Sequence, residues 1–220
     1  MSNRPSFILG SHNSWSYLPP KDWWLWPLAF TARCQSVDIK TQYALGVRCF
    51  DLRIVYRGGS LCVAHGPVAY AITPEELMGQ LQWLDDNEDC YVRVIHEIRS
   101  KDRYTQSAID SFRSFCDAVK ELYPCIRFWC GRNLFNWKAD YDFGPEPSCE
   151  EVYASVCSPS LVDDWWPWLF AHRTNRKTLV RGTNCEILLI DFVNYPAAKD
   201  CVASGPDGPS LFLLRRNAAS

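Results

Sequence analysis

Short apolar runs alternate with longer polar stretches along this chain, and their lengths predict strands rather than helices. The runs fall at residues 7–9, 47–55, 61–64, 91–98, 126–129, 186–193 and 211–214. Two segments carry helical signals instead. Thr73-Pro74-Glu75-Glu76 supplies an N-cap threonine, a proline at the first helical position and a glutamate three residues after the cap, with Leu77 and Leu81 following on one face. From about Gln106 to Tyr123, Ile109, Phe112, Phe115, Cys116, Val119 and Leu122 recur at three- and four-residue spacing until Pro124 stops the pattern. Residues 138–164 are the least regular stretch and read as an excursion from the main fold.

Strands separated by helices and long loops predict an α/β chain with a parallel sheet, either an open doubly wound sheet or a closed barrel. Neither G-x-G-x-x-G nor G-x-x-x-x-G-K-[ST] is present, so the phosphate loops of the doubly wound class are missing. At 220 residues, one large domain over 1–220 is expected.

Composition narrows the function. Basic and acidic side chains number 23 and 25, giving a formal charge of -2, with no basic surplus for nucleic-acid binding. No apolar stretch approaches the roughly 20 residues of a membrane helix, and the N-terminus lacks a signal-peptide layout, so a soluble, unprocessed chain is expected. Eleven cysteines form no C-x-x-C pair, and Cys49, Cys62 and Cys185 are expected inside apolar strand-like runs. They read as reduced, mostly core residues of an intracellular protein. Ten tryptophans are an unusual number, and their placement is more unusual still. Trp23, Trp24 and Trp26 stand among Pro19, Pro20 and Pro27, and Trp165, Trp166 and Trp168 flank Pro167, both without strand or helix periodicity. Such segments suit either a core or a lipid headgroup boundary.

The chemistry-bearing residues sit at strand ends. His12 follows Phe-Ile-Leu-Gly-Ser and His65 follows Leu-Cys-Val-Ala. Asp51 and Arg53 interrupt the run Cys-Phe-Asp-Leu-Arg-Ile-Val and, two residues apart, point to one face. Taken singly, a strand-end histidine is a hydrogen-bonder and an Asp/Arg pair an ion pair. Together they supply a base, an acid and a fixed cation for phosphoryl transfer without metal. His96, mid-strand, and His172, in a polar run, read as structural and surface residues.

Three blocks in order resemble the catalytic X-type domain of phosphatidylinositol-specific phospholipases C. They are Gly10-Ser11-His12-Asn13-Ser14, then Ala32-Arg33-Cys34-Gln35-Ser36 leading to Gln42-Tyr43-Ala44-Leu45-Gly46-Val47-Arg48-Cys49-Phe50-Asp51-Leu52-Arg53, then Ala64-His65-Gly66-Pro67. The resemblance covers roughly residues 6 to 100. It implies a distorted, compact TIM-like barrel, with His12 as general base on the inositol 2-hydroxyl and His65 as general acid on the diacylglycerol oxygen. Arg53 would neutralise the phosphate, Asp51 would orient Arg53 or a histidine, and Asp191 would hold the second nitrogen of the base. The product implied is inositol 1,2-cyclic phosphate.

The same resemblance addresses metal. Members that bind calcium use positions that look like Asn13, Asp51, Arg53 and Arg99 here, so two oxygen ligands are replaced by guanidinium groups. No metal and no cofactor are therefore expected, as in the bacterial metal-independent type, although Asn13 stands where those members usually carry Asp. Asn13 and Arg99 are expected near the substrate, and Trp23, Trp24, Trp26, Trp165 and Trp166 at the membrane. The implied partner is phospholipid at a membrane surface, met by a monomer that is cytoplasmic or peripherally attached. A headgroup-binding module, or a phosphodiesterase for another glycero- or sphingophospholipid, are the competing classes.

Overall fold

The computed structural model describes residues 7–87, 89–98, 104–132, 139–158 and 160–195. Its centre is a parallel sheet in the order β7 (Cys149–Val152), β8 (Ile187–Ile190), β1 (Ile8–Ser11), β2 (Cys49–Arg57), β5 (Tyr91–His96) and β6 (Arg127–Cys130). Strands of such a sheet are covered on both faces, which is why β8 reads Ile-Leu-Leu-Ile with every residue buried. The far half of β2 leaves this sheet to pair antiparallel with β3 (Ser60–His65), which in turn pairs with β4 (Val68–Ala69). Among the described residues β6 and β7 share no ladder, so the sheet curls without closing. The expected TIM-like barrel is thus present as an open half-barrel of six parallel strands carrying a hairpin. The apolar run at 211–214 lies outside the described residues, as does Arg99.

Helices cover the sheet. Thr73 caps α2 (Pro74–Asp86) by accepting from the Glu76 amide while the Glu76 carboxylate accepts from the Thr73 amide. Phe112, Cys116 and Val119 of α3 (Gln106–Leu122) are buried at the spacing read from the sequence. The shorter α1 (Ile39–Ala44) is capped by Asp38.

Three features depart from the sequence pattern. The stretch thought to be an excursion contributes β7 to the central sheet, together with α4 (Ala154–Cys157) and α5 (Leu161–Trp165). A long helix, α6 (Pro167–Arg181), follows; its buried face includes Asn175 and Thr178 beside Phe170 and Leu179, so apolar spacing alone did not reveal it. Trp23–Thr31 forms a 3-10 helix with no buried residue, whose lack of amphipathic periodicity follows from having no core-facing side. Cys185 lies in the bend before β8 rather than in a strand. All ten described cysteines are free thiols. No described helix is long and apolar enough to cross a membrane.

The β1 strand approaches its neighbours closely at Gly10, where a Cβ would stand 2.6 Å from Leu189 Cδ2 and 3.2 Å from Cys49 Cβ. Both neighbours are fully buried. Gly10→Ala is therefore expected to destabilise the fold by about 1–3 kcal/mol through overpacking. A melting temperature equal to wild type would show that β1 and β8 have slack at this crossing.

Candidate active site

The carboxyl ends of the parallel strands converge, and the chemistry collects there. His12 follows β1, Asp51 and Arg53 lie on β2, Glu97 follows β5, Tyr153 follows β7 and Asp191 follows β8. His65 ends β3 on the hairpin side. They border a cavity of about 970 Å³ whose lining includes His12, Arg53, His65, Arg93, Glu97 and Asp191. This volume is at the upper end of the range for a small-molecule pocket.

His12 is 2% exposed and held on both nitrogens. Its Nδ1 lies 2.6 Å from Asp191 Oδ1, and its Nε2 lies 2.8 Å from Arg53 Nη2. A guanidinium can only donate, so Nε2 carries the lone pair and Nδ1–H donates to the carboxylate. Burial, reinforced by the Arg53 charge, holds the His12 pKa well below that of a free imidazole. Burial also pushes the Asp191 carboxyl up. His65, half-buried, presents its ring edge-on to His12 with centroids 5.7 Å apart, and its Nδ1–H donates to the Ala32 carbonyl at 3.0 Å.

Arg53 is fixed by two carboxylates. Its Nε donates to Asp51 at 2.9 Å and its Nη1 to Glu97 at 3.3 Å. Asp51 Oδ1 receives Arg93 Nε at 2.8 Å, and Asp51 Oδ2 receives the Asn13 amide at 2.9 Å. Burial alone would raise the Asp51 pKa, but the two guanidinium groups outweigh it and hold the carboxyl far below the usual carboxylate range. Arg93 extends the network to Glu151 at 2.7 Å, and Glu151 accepts from the Tyr153 hydroxyl. The Tyr153 ring stacks flat on His12, 3.6 Å between centroids at 8°.

Local chain geometry explains the placement. Asn13 adopts a left-handed backbone, φ 45°, which turns the chain after β1 so that its amide reaches Asp51. Gln35 donates to the His12 and Ile190 carbonyls and accepts from the Val193 amide, joining the ends of β1 and β8. Asn175 on α6 donates to the carbonyls of Asp191, Phe192 and Tyr195, pinning the turn that carries Asp191.

The fold thus gathers His12, Asp51, Arg53, His65 and Asp191 in one place. Asn13 is fully buried beneath the site and contributes its backbone amide, not a side chain in the pocket lining. Arg93, Glu97, Glu151 and Tyr153 went unremarked in the sequence, although an arginine inside the apolar run Tyr-Val-Arg-Val-Ile was a signal. Arg93 is the cross-strand partner of Asp51. His96 bonds Asp140 at 2.9 Å and stacks on Phe112, and His172 is exposed. The tryptophans of both clusters are exposed, from 78% at Trp23 to 45% at Trp166. The two clusters meet where Phe30 stacks on Trp166, and Leu28 and Trp165 reach the pocket wall.

No protein-family model matches the chain, and no curated protein matches it. Among solved structures it is similar to phosphatidylinositol-specific phospholipase C from Listeria monocytogenes, with 14% identity and a TM-score of 0.61, covering 91% of this chain and 96% of that one. It is also similar to the Staphylococcus aureus phosphatidylinositol-specific phospholipase C, with 16% identity, a TM-score of 0.55 and 86% of each chain covered. An F249X mutant of the S. aureus enzyme aligns with a TM-score of 0.57 at 16% identity. The fold is shared with these bacterial enzymes over most of the chain.

Asp51→Asn is expected to cost about 3–5 kcal/mol, because it leaves two buried guanidinium groups without their shared carboxylate. Since the native state holds Asp51 ionised, its contribution is full above the ordinary carboxyl pKa of about 4 and is lost only in stronger acid. Denaturant unfolding at neutral pH tests this, and a variant as stable as wild type would remove Asp51 from the centre of the network.

Proposed function

We propose that the chain is a metal-independent phosphodiesterase of the phosphatidylinositol phospholipase C type, cleaving the lipid to diacylglycerol and inositol 1,2-cyclic phosphate. The observation that carries this reading is the pair of histidines flanking one pocket, one of them bonded to a buried arginine. His12, its lone pair on Nε2 and its Nδ1–H on Asp191, takes the proton of the inositol 2-hydroxyl. That oxygen attacks phosphorus, and His65 gives a proton to the departing diacylglycerol oxygen. Arg53, held by Asp51 and Glu97, frees the His12 nitrogen as substrate enters and turns its Nη2 to the charge on the non-bridging oxygens while keeping both carboxylates. Its guanidinium occupies the space between two carboxylates, which supports a built-in cation in the role a metal fills elsewhere.

The exposed tryptophans support a lipid substrate. Large apolar patches on a water-exposed surface mark binding sites, and aromatic rings beside apolar side chains suit the headgroup boundary. Here they rim the pocket that would receive the headgroup. Membrane binding is a described property of the S. aureus neighbour.

Phosphatidylinositol vesicles in EDTA, followed by phosphorus NMR, should yield cyclic inositol phosphate. His12→Ala and His65→Ala should each lower turnover by about two orders of magnitude or more with the fold intact. Because burial and Arg53 depress the His12 pKa, the acid limb of kcat/KM should lie below the free-imidazole value of about 6.5. A strict calcium requirement would reject Arg53 as the cation, and vesicle binding without turnover would make the chain a headgroup-binding module.

Replacing Trp23 and Trp24 together by Ala should weaken vesicle sedimentation and leave the melting temperature nearly unchanged, since both side chains are more than half exposed. Unaltered lipid affinity would remove these residues from the interface.

A further inference from the structure

Among the described residues, Cys34 is a buried nucleophilic side chain of the pocket for which the acid-base scheme has no use. It is 1% exposed, lines the cavity and lies 3.8 Å, Sγ to Nδ1, from His65. Its backbone is fixed on both sides, since its amide donates to Ser16 Oγ at 2.9 Å and its carbonyl accepts from Phe192 at 2.6 Å. One donor atom each from His12, Cys34 and His65 lie within 4.8 Å of one another.

We propose that His12, Cys34 and His65 form a binding site for a thiophilic divalent cation, Zn2+ by preference, which shuts the enzyme by occupying its base and its acid at once. Two imidazoles and a thiolate are borderline-soft donors, suited to zinc and unsuited to calcium or magnesium. Tetrahedral zinc, with bonds of about 2.0–2.3 Å, separates its ligand atoms by about 3.3–3.8 Å, so the Cys34–His65 spacing fits once the His65 proton moves from Nδ1 to Nε2 and the bond to the Ala32 carbonyl is given up. Motion of about an ångström brings in His12.

His12 is prepared for this role. Metal-bound histidines commonly donate their other N–H to a carboxylate, as His12 Nδ1–H does to Asp191, which leaves Nε2 as the ligand atom. Arg53 must release that nitrogen, and it keeps Asp51 and Glu97 when it does. Five acidic residues line the pocket against three arginines (Arg53, Arg93 and Arg132), so its fixed charges do not repel a divalent cation. Burial raises the Cys34 thiol pKa well above its ordinary value, so the thiol is protonated without metal, and zinc binding displaces that proton to solvent. The fourth position remains for water. The site itself stands on geometry, and only the inhibition rests on the function proposed above.

Two readouts separate these. Co2+ added to the whole protein as a zinc surrogate should give a thiolate-to-cobalt charge-transfer band at one equivalent, absent from Cys34→Ser and, should that variant not fold, from Cys34→Ala. Exposed Cys125 and Cys157 contribute alike to all three proteins and cancel in the difference spectrum. Zn2+ should inhibit phosphatidylinositol turnover, and the concentration for half-inhibition should rise by at least about tenfold in the Cys34 variants, each measured against its own zinc-free rate. Identical cobalt spectra in wild type and variants would overturn the site. A Cys34-dependent spectrum without zinc inhibition supports the site and rejects His12 and His65 as base and acid.

Discussion

A single buried carboxylate organises this molecule's polar interior. Asp51 has no exposed surface, and an isolated charge there would cost several kcal/mol even after relaxation. It is tolerated because two guanidinium groups and a backbone amide converge on its oxygens. Each arginine then transmits that constraint to the same imidazole. Arg53 touches His12 directly, while Arg93 reaches it through Glu151 and the stacked ring of Tyr153. The orientation of His12 is therefore set from its edge and from its face by one ion.

The surrounding chain is built to keep that arrangement stiff. Side-chain amides act as staples between strand ends: Gln35 joins β1 to β8, and Asn175 ties α6 to the turn after β8. Such bonds satisfy carbonyls that the ladders leave open where the strands stop, which a buried loop must do in some manner. Stability and site geometry are consequently the same set of contacts, and a group that loosens one loosens the other.

The central strands and two capped helices were legible because each carries its signal in adjacent residues. Asp51 and Arg53 were legible for the same reason, being two apart on one strand. Arg93 and Glu97 were not, since their meaning lies in a cross-strand register that appears only once β5 is laid beside β2. Glu151 and Tyr153 were hidden in a stretch whose short β7 has three half-buried residues of four and hence little apolar pattern. Helix α6 was masked by Asn175 and Thr178 on its inward face. The missing ladder between β6 and β7 among the described residues likewise has no local signature, because closure is a property of the whole sheet. The tryptophan segments gave an unusual composition without a direction, and only exposure supplied one.

The pairing of β1 with β8 has a consequence for how the protein is made. The two partners of the His12 imidazole come from opposite parts of the chain, Arg53 early and Asp191 late, with His12 and its carboxylate 179 positions apart. A chain emerging from the ribosome releases both histidines and Arg53 long before the strand that orients the base. Until residue 191 clears the exit tunnel, the first strand lacks its neighbour and the imidazole lacks the acceptor that fixes its tautomer. The surroundings of the imidazole are thus completed only when β8 takes its place beside β1.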